Sequence, residues 1–319
     1  MIYLIFAILF ASLFSVVFKV CQEKQIDTRQ VILFNYVTAT VVSVVAMAAK
    51  LLGGSAVSAD YSLHWSSCLY AVVEGILFTL GFALMDRSVW RSGVALTNVS
   101  ARASLILPVI FSWVFLDQSA PAWIPVVIVI VALALIILPA ESQVHPAQYL
   151  TNKTDAQRRR RVLLVLFLVF VCLGTSDFFM KVSQNSVAMH LSNGSDSSSH
   201  IDSLTAVIFF AASLSALAYC HFSGSLRKHP VRWKSLTAGA ILGVVNLVGT
   251  SCSLRALGIL PTGIYYPLYN IGIVIVATLI GVIFFKEKIK WLQYAGIALA
   301  IAAICRASDS QYEPPRKSQ

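Results

Sequence analysis

Residues 72–87 read VVEGILFTLGFALMDR, and they belong to an apolar run at 66–85 with one carboxyl group, Glu74, near its middle. A helix that crosses a bilayer needs roughly 20 mainly apolar residues, which is the length of this run. An ionisable side chain at such a depth costs roughly 2.5–3.5 kcal/mol on insertion scales unless it is paired or hydrated. The stretch therefore predicts a membrane helix whose Glu74 faces a polar interior.

The composition of the whole chain supports a membrane protein. Of the 319 residues, 58% are apolar and 12% are charged, whereas a soluble domain carries about 25% charged residues. The net charge of +10 does not indicate nucleic acid, because the basic residues lie in short clusters between apolar runs. We expect a multi-pass protein of the cell (inner) membrane, with the lipid bilayer as a partner and with reduced, membrane-embedded cysteines.

Ten apolar runs of spanning length can be placed along the chain. The first is interpreted as a membrane helix rather than a signal peptide, because no basic residue precedes its apolar part. The predicted fold is an all-α integral membrane protein with helices near 2–20, 31–51, 66–85, 93–116, 122–140, 162–181, 202–221, 235–255, 262–285 and 290–306.

The two halves of the chain resemble each other. FKVCQ at 18–22 is similar to MKVSQ at 180–184, and IDTRQVILF at 26–34 is similar to IDSLTAVIF at 201–209. Gly75 and Gly81 align without a gap with Gly243 and Gly249. Matches in the same order indicate an internal duplication, and the shared glycines are interpreted as close-packing sites.

A repeat of five helices must enter the membrane from opposite sides in its two copies. Loops after odd-numbered helices hold 17 of the 24 Lys and Arg residues, so these loops are predicted to be cytoplasmic and both termini to face outward. The pattern is typical of inverted-repeat transporters. We expect a first five-helix repeat at 1–140, a basic linker at 141–161, a second repeat at 162–306 and a polar tail at 307–319.

Two segments of the second half carry a resemblance to a known family. PTGIYYPLYN at 261–270 and FFKEKIKWLQYAGIALAIAAI at 284–304 resemble the drug/metabolite transporter superfamily, in its EamA (RhaT-like) family. Glu287 matches the family's turn glutamate, whereas Gln118 departs from it in the first half. The resemblance implies a central cavity and movement of small metabolites such as amino acids, by proton coupling or exchange. Members of the family are often drawn with cytoplasmic termini, whereas the Lys and Arg distribution of this chain predicts termini that face outward.

Glu74 and Arg102 lie in helices predicted to be neighbours joined by a short loop, so an interior ion pair between them is plausible. Glu74 is either a proton acceptor, part of a fixed structural pair, or a carboxyl group that stays protonated. Arg102 either captures a substrate carboxylate or phosphate or serves the same structural pair. Asp177, placed toward the outer end of helix six, either pairs with Lys181 one turn later or contacts a substrate amine.

Polar and aromatic side chains in the second half complete the candidate site. The tyrosines of helix nine either line a cavity next to the helix break at Pro267 or form an interfacial belt, and Asn246 either contacts substrate or packs. The candidate substrate- or proton-binding residues are Glu74, Asn98, Arg102, Asp177, Asn246, Tyr265, Tyr266, Tyr269 and Asn270.

These features predict a secondary active transporter, an exporter or exchanger working by alternating access, and not an enzyme. No Walker-type motif for ATP is present, and no cofactor or metal is expected; protons are the candidate coupling ion. The alternative is an integral membrane enzyme acting on a lipid-linked substrate, which would need clustered catalytic groups, whereas the histidines are scattered in loops and at helix ends. A receptor without transport is a third class, and no signalling domain supports it.

Overall fold

The protein is built from helices. The computed structural model describes residues 1–24, 26–52, 61–116, 156–190, 197–224 and 231–285, and within these ranges the chain forms no strand. Their order is α1 (Ile2–Glu23), α2 (Thr28–Leu52), α3 (Trp65–Ala103), α4 (Ile106–Phe115), α5 (Ala156–His190), α6 (Ser197–Phe222), α7 (Trp233–Ile259) and α8 (Thr262–Phe285). The helices predicted at 122–140 and 290–306, most of the linker, the tail and the side chain of Asn98 lie outside the described residues.

Among the described residues, five helical segments are long and apolar enough to cross a membrane: Thr28–Leu52, Trp65–Val89, Arg160–His190, Ser198–Phe222 and Trp233–Ile259. Large apolar side chains remain on their outer faces, including Ile76, Leu80 and Phe210. Such faces suit contact with acyl chains. The prediction of an all-α chain with membrane-length helices is confirmed for the described residues.

Polar side chains cap the N-termini of two helices. Asp27 Oδ1 accepts the backbone N–H of Arg29 at 3.1 Å just before α2. His64 Nδ1 accepts the backbone N–H of Ser66 at 3.4 Å at the start of α3. Each satisfies one of the N–H groups that a helix leaves unpaired at its N-terminus.

The chain reverses direction inside α3. Thr97 Oγ1 donates to Ser88 Oγ at 2.8 Å, and Ser92 Oγ lies 3.1 Å from Ser88 Oγ. In a straight helix, residues nine apart are separated by about 13 Å along the axis. The three hydroxyl groups therefore hold a tight bend.

Contacts with α5 show that the bend is a reversal. Before the bend, the Ser67 hydroxyl is hydrogen-bonded to the Ser186 hydroxyl, and the Cys172 thiol donates to the carbonyl of Leu77. Residue numbers rise in α3 as they fall in α5, so the first arm runs antiparallel to α5. After it, Ser100 donates to the carbonyl of Leu166, and Phe111 packs on Phe178, so the second arm runs parallel to α5. The reversal lies near the short connection predicted between helices three and four, but α3 extends through it to Ala103 instead of ending before it.

The predicted helix at 93–116 is also interrupted near its middle. A turn at Ser104 and Leu105 separates α3 from α4. Proline at 108 has no N–H to donate to the carbonyl four residues earlier. The carbonyl of Ser104 accepts instead from the N–H of Leu107 at 3.0 Å, which tightens the chain at this point.

The sixth predicted helix is longer than its apolar pattern suggested. It was placed at 162–181, but α5 extends from Ala156 to His190. Nine further residues follow Lys181, so the placement of Asp177 toward the outer end of this helix is wrong. The polar residues of that extension are hidden by packing, since Ser183 and Ser186 are both buried.

Glycines allow helices of the two halves to touch closely. A Cβ at Gly75 would lie 2.3 Å from the carbonyl oxygen of Ile208 in α6, and a Cβ at Gly243 would lie 2.5 Å from that of Asn35 in α2. Small residues permit such approaches between membrane helices. The halves therefore pack through α3 on α6 and α7 on α2.

Candidate functional site

Glu74 lies in the middle of the bundle, on the first arm of α3. Its side chain is fully buried. Ser183 of α5 donates to its Oε2 at 3.0 Å, whereas Oε1 has no hydrogen-bond partner among the described residues. That second oxygen can accept a bond from a donor that enters the site.

The hydroxyl of Ser183 has one hydrogen and three acceptors in reach, the most distant being the carbonyl oxygen of Met180 at 3.3 Å. It lies 3.0 Å from Glu74 Oε2 and 2.6 Å from the carbonyl oxygen of Phe179. A hydroxyl can donate once and accept as well. When its hydrogen points to Phe179, a bond to Glu74 requires a protonated carboxyl group. Ser183 can therefore serve Glu74 in both protonation states.

A chain of hydrogen bonds joins α3, α8 and α5. Arg102 Nη1 donates to Asn270 Oδ1 at 3.2 Å, and Asn270 Nδ2 donates to the carbonyl of Tyr266 at 3.0 Å. The hydroxyl of Tyr266 donates to the backbone carbonyl of Asp177. Asn270 is neutral, so this chain orients the Arg102 guanidinium without cancelling its charge.

The tyrosines of α8 form one wall of the site. The rings of Tyr265 and Tyr269 are stacked with centroids 5.3 Å apart, and Tyr265 meets Tyr266 edge-on at 5.0 Å. Tyr265 and Tyr266 are each 1% exposed. Aromatic side chains of an interfacial belt sit at the headgroup level, so these two are placed in the interior instead.

The expected Glu74–Arg102 pair is not formed. Among the described residues Glu74 has Ser183 as its partner and Arg102 has Asn270. The two residues lie on opposite arms of the α3 reversal, and each is met by a different neighbouring helix. The acidic group that interacts electrostatically with Arg102 is Asp177.

The expected Asp177–Lys181 pair is absent as well, within the part of the chain that the structure describes. Lys181 Nζ donates to the carbonyl of Leu257 at 2.7 Å and to Gln184 Oε1 at 3.1 Å. The carboxyl group of Asp177 is thus left on the side of Arg102 and the tyrosines.

Seven of the nine predicted site residues are brought together: Glu74, Arg102, Asp177, Tyr265, Tyr266, Tyr269 and Asn270. Asn246 instead donates to Asn35 at 3.4 Å, between α7 and α2. Ser183 was missed by the sequence analysis. The signal was available, because MKVSQ has serine where FKVCQ has cysteine.

Two comparisons with known proteins cover nearly the whole chain, and a third finds no match. No family model matches the chain. It is similar to an uncharacterized protein of Haemophilus influenzae, with 26% identity over 94% of this chain and 95% of the relative. A crystal structure of another protein superposes with a TM-score of 0.65 at 13% identity and covers 98% of both chains. At that identity the structural likeness shows the fold alone.

Proposed function

We propose that this protein is a secondary active transporter of a small organic metabolite, of the EamA-like drug/metabolite type, and works by alternating access. The observation that supports it is a fully buried Glu74, with the half-buried Asp177 and Arg102 nearby, between helices of both halves of the chain. Buried ionisable groups inside membrane helices are expensive, and they usually mark a path for substrate or ions.

The proposal includes ten spanning helices in two inverted repeats. Aligning FKVCQ with MKVSQ pairs Phe10 with Cys172 and Ala11 with Leu173. A Cβ at Gly249 would contact Phe10 and Ala11. A Cβ at Gly81 would contact the matched residues of the other half, Cys172 and Leu173. The equivalent glycines thus use equivalent partners.

Helix directions support the inversion. Lys50, at the end of α2, binds Asp202 near the start of α6. The carbonyl of Arg29, at the start of α2, accepts from Cys220 near the end of α6. The two helices, matched by IDTRQVILF and IDSLTAVIF, therefore run antiparallel, as copies in opposite orientation must.

The roles of the polar groups follow from their chemistry. Arg102, held by Asn270, suits a substrate carboxylate or phosphate because its donors form a planar fork. Asp177 suits a substrate amine, and the stacked rings of Tyr265 and Tyr269 offer a flat apolar surface. Glu74 carries the coupling proton, with Ser183 as a partner in both states. A zwitterion such as an amino acid meets all these groups.

The experiment is flux into proteoliposomes containing the purified protein in the cell-membrane orientation. Labelled metabolites are offered with and without an imposed pH gradient, and Glu74→Gln is compared with the parent. We expect gradient-driven flux that the substitution removes. Asp86→Asn, on the same arm of α3, is the matched control, because Asp86 lies 3.9 Å from Arg29 and away from the site.

Two results would overturn the proposal. Flux in Glu74→Gln that responds to the gradient as in the parent would remove the role of Glu74. Turnover of a lipid-linked substrate with no metabolite flux would favour the alternative, an integral membrane enzyme.

A further inference from the structure

Three histidines from distant parts of the sequence line one cavity at the end of the bundle where α3 begins, α5 ends and α6 begins. The cavity measures about 270 Å³ and is lined by His64, His190 and His200 together with Ser62 and Ser67. It lies apart from the residues proposed for transport. A volume of this size accommodates a small molecule or a headgroup.

Backbone carbonyls fix the hydrogen of two of the rings. His190 Nδ1 lies 2.8 Å from the carbonyl of Ser186, and His200 Nδ1 lies 2.7 Å from that of Ser62. A carbonyl oxygen only accepts, so both Nδ1 atoms carry hydrogen. A proton gained by either ring must therefore go to Nε2, which then becomes a donor.

The Nε2 atom of His200 is an independent indication of a ligand. The side chain is 7% exposed, and Nε2 has no hydrogen-bond partner in the described part of the protein. Buried polar atoms are nearly always paired, so an unpaired one calls for an occupant. Because the residue lines the cavity, a ligand held there is the simplest partner for this atom.

The rings of His64 and His190 touch each other directly. His64 stacks on His190 with centroids 3.8 Å apart and planes 9° from parallel. Imidazole is the side chain that gains a proton just below neutral pH. Two protonated rings at this distance repel, and an anion bound beside them offsets that repulsion.

The other charged groups near this end are already engaged. Asp202 of α6 is bound by Lys50 of α2 and Arg255 of α7. Lys181 of α5 is bound to the carbonyl of Leu257. No acidic side chain forms an ion pair with the three histidines among the described residues, and Tyr61 is the titratable neighbour that precedes them in the chain.

We propose that this histidine cavity binds a small oxyanion, a carboxylate or phosphate group, when its imidazoles are protonated. Protonated Nε2 of His190 and His200 donates to the anion. A metal ion is the competing occupant for imidazoles, but the described residues contain no group of three ligands placed to hold one.

Binding of inorganic phosphate and of acetate to the full-length protein in detergent tests the proposal, by calorimetry at about pH 5.5 and about pH 8. We expect binding at the lower pH that weakens at least about tenfold at the higher pH, and weakens about tenfold in His200→Gln, since a hydrogen bond to a charged group is lost. His64→Asn gives a second, independent loss without disturbing a buried ring.

His221→Asn is the matched control, because His221 lies on α6 at its opposite, exposed end. The source of the anion is separated by repeating the measurement in nanodiscs of phosphatidylcholine with and without phosphatidylglycerol. Competition by the anionic lipid identifies a headgroup phosphate, and its absence identifies a free anion. Equal binding at both pH values, an equal loss in His221→Asn, or binding of Zn²⁺ in place of phosphate would overturn the proposal.

Discussion

Ser183 donates a hydrogen bond of 3.0 Å to Glu74 across the contact between α5 and α3. It is the one side-chain partner of this carboxyl group in the described residues. Ser183 also reaches the carbonyl of Phe179, so its hydrogen can follow the protonation of Glu74. The state of the carboxyl group is thereby linked to a helix of the other half.

Replacing Ser183 by Ala leaves both oxygens of Glu74 without a side-chain partner. An unsatisfied buried group costs about 1–3 kcal/mol, so we expect a loss of unfolding free energy in that range and a changed pH dependence of flux. Chemical denaturation in mixed micelles and flux at several pH values measure the two effects. Ser215→Ala is the control, because its hydroxyl donates to the carbonyl of Ala211 in its own helix. An equal effect in that variant contradicts the role of Ser183.

Asn270→Asp would place a carboxylate where the amide oxygen now accepts from Arg102 at 3.2 Å. The guanidinium would then be paired within the protein, and a close charge pair competes with a substrate anion. We expect the apparent KM to rise by about tenfold or more with folding retained. Flux over a range of substrate concentrations provides the measurement, and an unchanged KM would exclude Arg102 from substrate binding.

Gly75→Ala tests the close approach of α3 and α6. The added Cβ would lie 2.3 Å from a backbone oxygen of Ile208, so one helix must shift. Overpacking of this kind costs about 1–3 kcal/mol, or more where backbone is displaced. Thermal unfolding measures the loss. Gly249→Ala gives a milder comparison, because its nearest contact would be 3.2 Å, and equal losses would contradict the packing argument.

Asp202→Asn removes an ion bridge at one end of the bundle. Asp202 Oδ1 lies 2.8 Å from Arg255 and Oδ2 lies 2.5 Å from Lys50, so one carboxylate joins α6 to α7 and α2. Exposed ion pairs contribute up to about 1 kcal/mol each, and salt screens them. We expect a loss of about 1–2 kcal/mol that shrinks at high salt. Asp86→Asn, whose contact with Arg29 is 3.9 Å, should lose less.

The predicted orientation places the end with Ser62 outside and the end with Ser223 in the cytoplasm. With the six native cysteines replaced, a membrane-impermeant maleimide added to intact cells should label Ser62→Cys and spare Ser223→Cys. The reason is the excess of Lys and Arg in loops of the second end. Labelling of Ser223→Cys but not of Ser62→Cys would contradict the prediction. It would favour the cytoplasmic termini usually drawn for the family that the sequence resembles.

The sequence predicted where helices form better than where they stop. Apolar length placed α2 and α8 within a few residues, but the polar extension of α5 beyond Lys181 is stabilised by burial against other helices, which a hydropathy pattern does not contain. A break between 85 and 93 was visible in the sequence, but the hydrogen bonds among Ser88, Ser92 and Thr97 at the α3 reversal were not.

The residue types of the site were predictable, and their pairing was not. A lone ionisable residue in an apolar run is visible in the sequence, so Glu74, Arg102 and Asp177 were found. Which of them meet depends on helix rotation and on the depth of α5. His190 and His200 seemed scattered because their helices converge only in three dimensions.

Glu74 and Arg102 stand on the two arms of a single bent helix that has no loop between them. The hydrogen bonds among Ser88, Ser92 and Thr97 join the two arms directly. The acidic and basic groups therefore lie on adjacent arms of one element. In the transport cycle proposed above, a tilt of the first arm away from α5 would also move Arg102, and this would couple release of the Glu74 proton to release of a substrate anion.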